Sequence, residues 1–175
     1  MLKGKKKIFY VIDTSAILSG ISLNLDEEVM ITTNSISAEL TPGGRDYRSF
    51  NFLIEKGLLI RDPSSKSIEF AISVSKKSGD FVRLSHADLE IIALSLDINS
   101  ENDKESVILT DDYSIQNIAN ILKIKYENIN QPKITKRFKW AYRCLGCRKK
   151  FRENIKICPI CGASTKEIVS KDKKI

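Results

Sequence analysis

The sequence predicts an α/β domain built on a mainly parallel sheet, followed by a small metal-stabilised module at the C-terminal end. Three observations carry this reading. Short apolar, β-rich runs alternate with helical patterns along the first three quarters of the chain, acidic residues recur where those elements begin or end, and all four cysteines fall in the last 44 of 175 residues. Alternation of strand and helix favours parallel pairing with helices on both faces of the sheet. About 130 residues can bury a core of their own, whereas a module of about 35 needs a further staple.

Ile8–Ile12 is a continuous apolar run of the kind buried on both faces of a parallel sheet. It ends at Asp13, and Thr14 or Ser15 can cap the helix that follows. Val29–Thr33 is the second strand, after which Asn34 or Ser35 starts a helix carrying Glu39, and Leu58–Arg61 is the third strand, closed by Asp62 and Pro63. From Leu84 to Asp88 a helix opens whose apolar positions Leu89, Ile92, Ala93 and Leu96 repeat at helical spacing. Ser85 with Asp88 three residues on has the pattern of a capping box, which offers Asp88 a purely structural task. Val107–Thr110 is the next strand, ending in Asp111 and Asp112 before a helix at Ser114–Leu122, and a last short strand falls within Ile124–Ile129. The polar stretches Asn99–Ser106 and Asn128–Lys139 are expected as loops, the second as a linker.

In such a fold the strand ends at Asp13 and Asp111-Asp112 and the helical residues Glu39 and Asp88 gather at one edge, the crevice where open α/β sheets bind ligands. Carboxylates crowded there repel one another and rise in pKa unless cations neutralise them. Hard oxygen donors select Mg2+ or Mn2+. A cation so held polarises a phosphodiester oxygen and lowers the pKa of a bound water, so the expected chemistry is metal-assisted phosphodiester hydrolysis. His86 is the only histidine, too little for a metal-free acid–base pair, and at the start of a helix it is expected to be a surface residue. No GxxxxGK[ST] loop is present and no GxGxxG follows the first strand, which weighs against nucleotide hydrolysis and dinucleotide chemistry.

The cysteines stand as Cys144-Leu-Gly-Cys147 and Cys158-Pro-Ile-Cys161-Gly162. Two CxxC pairs ten residues apart suit one structural, tetrahedral Zn2+ with all four positions filled and none left for a catalytic water. Residues 132–175 carry 14 Lys and Arg against 3 Asp and Glu, a net +11, whereas residues 1–131 carry a net −4. Phe138, Trp140, Tyr142 and Phe151 lie between those charges, a composition that neutralises phosphates and stacks on exposed bases. Lys136, Arg137, Lys139, Trp140, Arg143, Arg148, Lys149 and Lys150 are the candidate RNA contacts. No apolar run approaches the roughly 20 residues that cross a bilayer, and the Lys-rich start is too short for a signal peptide. The expected protein is soluble, cytoplasmic and without a membrane partner. The expected division is a nuclease domain at 1–130, a basic linker at 131–140, a zinc ribbon at 141–165 and a flexible polar tail at 166–175.

Asp13 in "VIDTSA", Glu39 in "SAEL", Asp88 in "LSHADLEIIAL" and the acids of "LTDDYSIQN" resemble the acidic quartet of PIN-domain nucleases. With "SGDFVRLSHADLEIIAL", then "ILTDDYSIQNIA", "KW" and two cysteine knuckles, the chain is similar over nearly its whole length to the Nob-type endonucleases, which mature the 3′ end of small-subunit ribosomal RNA. The resemblance implies a five-stranded parallel sheet of order 3-2-1-4-5, a Mn2+- or Mg2+-dependent endoribonuclease site and a zinc ribbon that helps hold pre-ribosomal RNA. It carries the metal-binding role to Asp13, Glu39, Asp88 and Asp112, with Asp111 a further candidate beside Asp112. Thr14, Ser15 and Thr110 are candidates for orienting water or phosphate. Implied partners are precursor rRNA and the pre-ribosomal small subunit. The alternatives are a non-catalytic RNA-binding assembly factor, a zinc-ribbon protein of the transcription machinery and a toxin-like PIN ribonuclease with another RNA target.

Overall fold

A computed structural model describes residues 6–19, 29–129 and 136–174, the side chains of 136–140 and 169–174 excepted. Strands β1 (Lys7–Ile12), β2 (Val29–Thr32), β3 (Leu59–Ile60), β4 (Lys104–Leu109) and β5 (Lys125–Glu127) form one sheet of order β3-β2-β1-β4-β5. Every pair in it is parallel, with Tyr10 opposite Met30 on one side and Val107 on the other. The implied topology and the fold class are therefore what the chain adopts. Val11 and Ile12 in β1 and Ile108 in β4 are fully buried, as central strands covered on both faces require.

The helices are α1 (Thr14–Leu18), α2 (Ser35–Glu39), α3 (Arg45–Glu55), α4 (Ser65–Ser78), α5 (His86–Ser100) and α6 (Tyr113–Leu122). α5 is the core of the domain. Ile91, Ile92, Ala93, Leu94 and Ile98 have no exposed surface, so apolar residues run around most of its circumference. Truncating Ile91, Ile92, Leu94 or Ile98 to Ala costs about 2–5 kcal/mol. α3 and α4 have no counterpart in the sequence reading. In α4 the apolar Ile68, Ala71, Ile72 and Val74 are diluted among serines and lysines, which hides the helical period. Its ends are clear nonetheless, with Ser64 Oγ accepting from the Ser67 amide and Gly79 closing the helix in the left-handed region at φ 88°.

Beyond residue 135 the reading needs correction. β6 (Lys136–Cys144) begins inside the expected linker, and β8 (Thr165–Lys174) occupies the expected flexible tail. With β7 (Lys150–Phe151) they form an antiparallel sheet of order β7-β6-β8, Trp140 pairing with Val169 and Cys144 with Thr165. β8 is rich in Lys, so composition suggests a solvated tail, and the long backbone ladder with β6 is what orders it. Likewise Asn99–Ser106 is a turn of only a few residues, since α5 runs to Ser100 and β4 starts at Lys104.

Candidate active site and metal centre

Asp13 follows the last residue of β1 and is 3 % exposed. It stands at the N-cap of α1 yet makes no side-chain capping bond. Its Oδ2 instead accepts from Thr110 Oγ1 at 2.7 Å and Ser15 Oγ at 2.8 Å. Each hydroxyl is itself pinned by an amide of the loop after β4: Asp112 N donates to Thr110 Oγ1 at 3.0 Å and Asp111 N to Ser15 Oγ at 3.1 Å. Two hydroxyls thus tie the ends of the neighbouring strands β1 and β4 together through one buried carboxylate. Burial pushes the pKa of Asp13 up against the pull of these hydrogen bonds, and the charge of Asp112 adds to the rise.

Around it stand the other acids. Asp112 caps α6, its Oδ1 accepting from Ser114 N at 2.5 Å and, more weakly, from Ile115 N. Asp88 closes the capping box of α5, its Oδ2 accepting from Ser85 N at 2.7 Å while Ser85 Oγ accepts from Asp88 N at 3.1 Å. The expected structural task is real, but a carboxylate has about four lone-pair sites and the cap uses only part of them. Burial pushes Asp88 up to about 6 despite the Ser85 amide, with Asp13 and Asp112 adding repulsion. Glu39, the last residue of α2, accepts from Thr14 Oγ1 at 2.8 Å, which ties it beside Asp13. The second strand–helix junction is braced by Asp62, whose carboxylate accepts from both the backbone and side-chain amides of Asn34.

The structure separates the two adjacent acids after β4. Asp112 interacts electrostatically with Asp13 and Asp88, whereas Asp111 Oδ1 accepts from Ile129 N at 2.9 Å and fastens the chain leaving β5. His86 is exposed and pairs with Glu90 one turn on, as a surface residue would.

The donor set fits a hard cation. Three mutually repelling carboxylates, two of them with raised pKa values, are short of positive charge. Among the described residues the four cysteines are the one group of three or more whose ligand atoms all lie within 4.8 Å of one another, so no three of the carboxylates are gathered that closely. A cation held among them would keep water in its shell, as Mg2+ commonly does.

The cysteines form a separate centre. Cys144 Sγ lies 3.3 Å from Cys161 Sγ and Cys147 Sγ 3.6 Å from Cys158 Sγ. A tetrahedron with Zn–S near 2.3 Å has edges of about 3.8 Å, so the four sulfurs are positioned for one zinc ion. Gly146 donates its amide to Cys144 Sγ at 3.3 Å, and a Cβ there would stand 3.0 Å from Ala163 Cβ and 3.2 Å from Cys161 Sγ. The Ala163 amide and the Cys144 thiol pull Cys161 down to about 6. Cys147, although the Lys149 amide favours its thiolate, is pushed up to about 11 by desolvation and the surrounding thiols. Arg143, Arg148, Lys149 and Lys150 are all exposed around this centre. The side chains of Lys136, Arg137, Lys139 and Trp140 lie outside the described residues.

A parallel five-stranded sheet with acids at the ends of β1 and β4 and at two helices is an arrangement suited to carboxylate-held metal chemistry on a phosphodiester. Residues 10–98 match the family model described as the PIN domain of ribonuclease. The chain belongs to the PIN-domain ribonucleases. It is 35 % identical to Ribonuclease VapC1 of Thermoplasma acidophilum over 96 % of this chain and 82 % of that protein. It is 33 % identical to Endoribonuclease Nob1 of Archaeoglobus fulgidus over 88 % of this chain and 87 % of the relative. With Endoribonuclease Nob1 of Pyrococcus abyssi the identity is 32 % over 87 % and 97 % respectively. Among the described residues no helix is long and apolar enough to cross a membrane.

Sequence reasoning did not find the contacts that join the two sheets. Arg83, just before α5, forms an ion pair with Glu167 of β8, and Tyr142 of β6 donates its hydroxyl to the same carboxylate at 3.0 Å. No local pattern marks such a pair, because its members are 84 residues apart.

Proposed function

We propose that this chain is a Mn2+- or Mg2+-dependent endoribonuclease that cuts precursor small-subunit ribosomal RNA at its 3′ end, bound within the pre-ribosomal small subunit. The observation that carries the hydrolytic part is the buried Asp13, held by Thr110 and Ser15 and ringed by Asp88, Asp112 and the tethered Glu39. Asp13, Glu39, Asp88 and Asp112 would hold the cation. When bound, it polarises the phosphate and makes hydroxide available from water near neutral pH. Asp13 presents its carboxylate in one orientation because both hydroxyls grip the same oxygen. Thr14 keeps Glu39 turned toward the site, and Asp111 anchors the exit of β5. Hydrolysis by water leaves 5′-phosphate and 3′-hydroxyl ends.

The rRNA target is supported by similarity to Nob1 endoribonucleases over most of both chains, together with a second module suited to one zinc and carrying exposed cations. In this reading the nuclease unit ends near residue 130, and the zinc-stabilised sheet of 136–174 grips RNA through its phosphates and through stacking on aromatic side chains. The test is cleavage of an RNA spanning the 3′ end of small-subunit rRNA, with Mn2+, Mg2+ or EDTA, by native protein and by Asp13→Asn. Metal-dependent cutting that the variant loses supports the proposal. Cyclic-phosphate products, or undiminished cutting by the variant, would refute the mechanism, and indifference to the rRNA sequence would move the target to another RNA.

A further inference from the structure

The segment 132–175 contains only three acidic residues, Glu153, Glu167 and Asp172, against 14 cations. One of them faces the nuclease domain. Glu167 Oε2 is paired with the Arg83 guanidinium, and Glu167 Oε1 accepts from Tyr142 Oη at 3.0 Å. Tyr142 is buried at 8 % exposure and the Arg83 side chain is three-quarters covered, whereas the Glu167 side chain is 38 % exposed, so the bridge is protected on its Arg83 and Tyr142 side and open to solvent at the carboxylate. β6 itself packs on α4 and α6.

The nuclease side of the bridge is equally braced. The Arg83 amide donates to Asp80 O at 2.8 Å. Asp80 is fully buried, and its Oδ2 accepts from Ser78 Oγ at 2.5 Å and from Asn117 Nδ2 of α6 at 2.7 Å. Two residues after Arg83 comes Ser85, whose amide donates to Asp88. The loop that meets the zinc-binding sheet is therefore the one that seats an acid of the active site.

We propose that Arg83, Glu167 and Tyr142 form a clamp that locks the zinc-binding sheet against the nuclease domain and so sets the distance between the RNA-holding surface and the carboxylates. These are positioning residues and touch no reacting atom. The clamp selects which phosphodiester reaches the acids once RNA is held on the ribbon, so the inference rests on the functional reading above. A rigid reach converts a binding site on one module into a register for cutting on the other.

The experiment compares zinc-loaded full-length protein with Arg83→Glu, Glu167→Arg and the double charge exchange. Small-angle scattering reports whether the two sheets stay together, and three RNA readouts follow: affinity, rate on a long RNA that spans both modules, and the mapped cut position. The clamp predicts that each single variant expands, keeps its affinity within about twofold, cuts the long RNA at least tenfold more slowly or at scattered positions, and still cuts a short oligonucleotide at the native rate. The double exchange restores compactness and the single cut. Single variants that stay compact with unchanged rate and cut position overturn the clamp. So does an equal loss on long and short RNA that the double exchange fails to restore, because the loop would then act only in folding the Asp88 cap. If the wild type cuts no RNA with any divalent cation, the functional reading falls and with it the register. Expansion of the singles and recompaction of the exchange would then retain the clamp as an architectural contact alone.

Discussion

Replacing Asp88 by Asn separates the two tasks that this residue combines, closing the N-terminus of α5 and standing in a repelling carboxylate cluster. Asp88 has its pKa raised from its ordinary 3.8 to about 6, chiefly by burial and then by Asp13 and Asp112. A carboxyl whose folded pKa is raised holds its proton more tightly in the folded state. Between about pH 4 and 6 the unfolded chain therefore releases its proton first, and stability falls as pH rises through that window. Roughly two decades of proton affinity correspond to about 3 kcal/mol, which partial exposure and solvent screening reduce to about 1–2 kcal/mol. Asn keeps an oxygen that can accept from the Ser85 amide but gives up the charge at the helix N-terminus, a loss of about 0.5 kcal/mol. The net expectation for metal-free Asp88→Asn is a gain of about 1 kcal/mol at pH 7.5, or a few degrees in Tm, and no gain at pH 4. Thermal or urea melts in EDTA at the two pH values measure it. Added Mn2+ should then stabilise the wild type and leave the variant nearly unmoved. Equal destabilisation of the variant at both pH values would show that Asp88 is a helix cap without electrostatic strain and would refute the reasoning.

Other outcomes follow from the same geometry. Thr110→Val removes one of two hydroxyls gripping Asp13 and should lower the cleavage rate roughly 10–100-fold with little change in RNA affinity, as measured by single-turnover kinetics and filter binding. Asp112→Asn should cost far more activity than Asp111→Asn, since Asp112 carries the electrostatic repulsion with Asp13 and Asp88 while one oxygen of Asp111 fastens the Ile129 amide; equal losses would place both acids in the site. Gly146→Ala should loosen zinc, because its Cβ would press on Ala163 and Cys161, and the release is read by a chromogenic chelator. Neutralising Arg143, Arg148 or Lys149 should each lower the slope of log affinity against log salt by about 0.7–0.9 while leaving the chemical step intact.

Much of the fold and of the site is legible in the residues because local chemistry announces it. β1 and β4 are apolar runs that end in acids, the Ser85/Asp88 capping box is encoded in four residues, and the CxxC pairs state a zinc site by spacing alone. α4 escaped because its apolar positions are diluted by polar residues that face solvent, whereas α3 carries Tyr47, Phe50, Leu53 and Ile54 at helical spacing and was open to recognition. β8 escaped because its order comes from pairing with a segment about 30 residues away and not from its own pattern, whereas β6 does alternate, with Phe138, Trp140, Tyr142 and Cys144 set between Arg137, Lys139 and Arg143, a pattern overshadowed by its charge.

The sequence by itself marked the side chains proposed to carry chemistry: four thiolates at metal-ligand spacing, acids at the ends of buried strands, and a cationic segment suited to phosphate. Only the tertiary structure decided how each acid is used. Asp13 is gripped through hydroxyls rather than used as a cap, Asp112 faces its fellow acids while Asp111 ties down β5, and Asp88 does two tasks at once. It also brought Arg83 and Glu167 together across 84 residues. The physical reason is that residue type and spacing fix local hydrogen bonding, whereas the direction of a carboxylate and the meeting of distant charges depend on how packed elements place their ends.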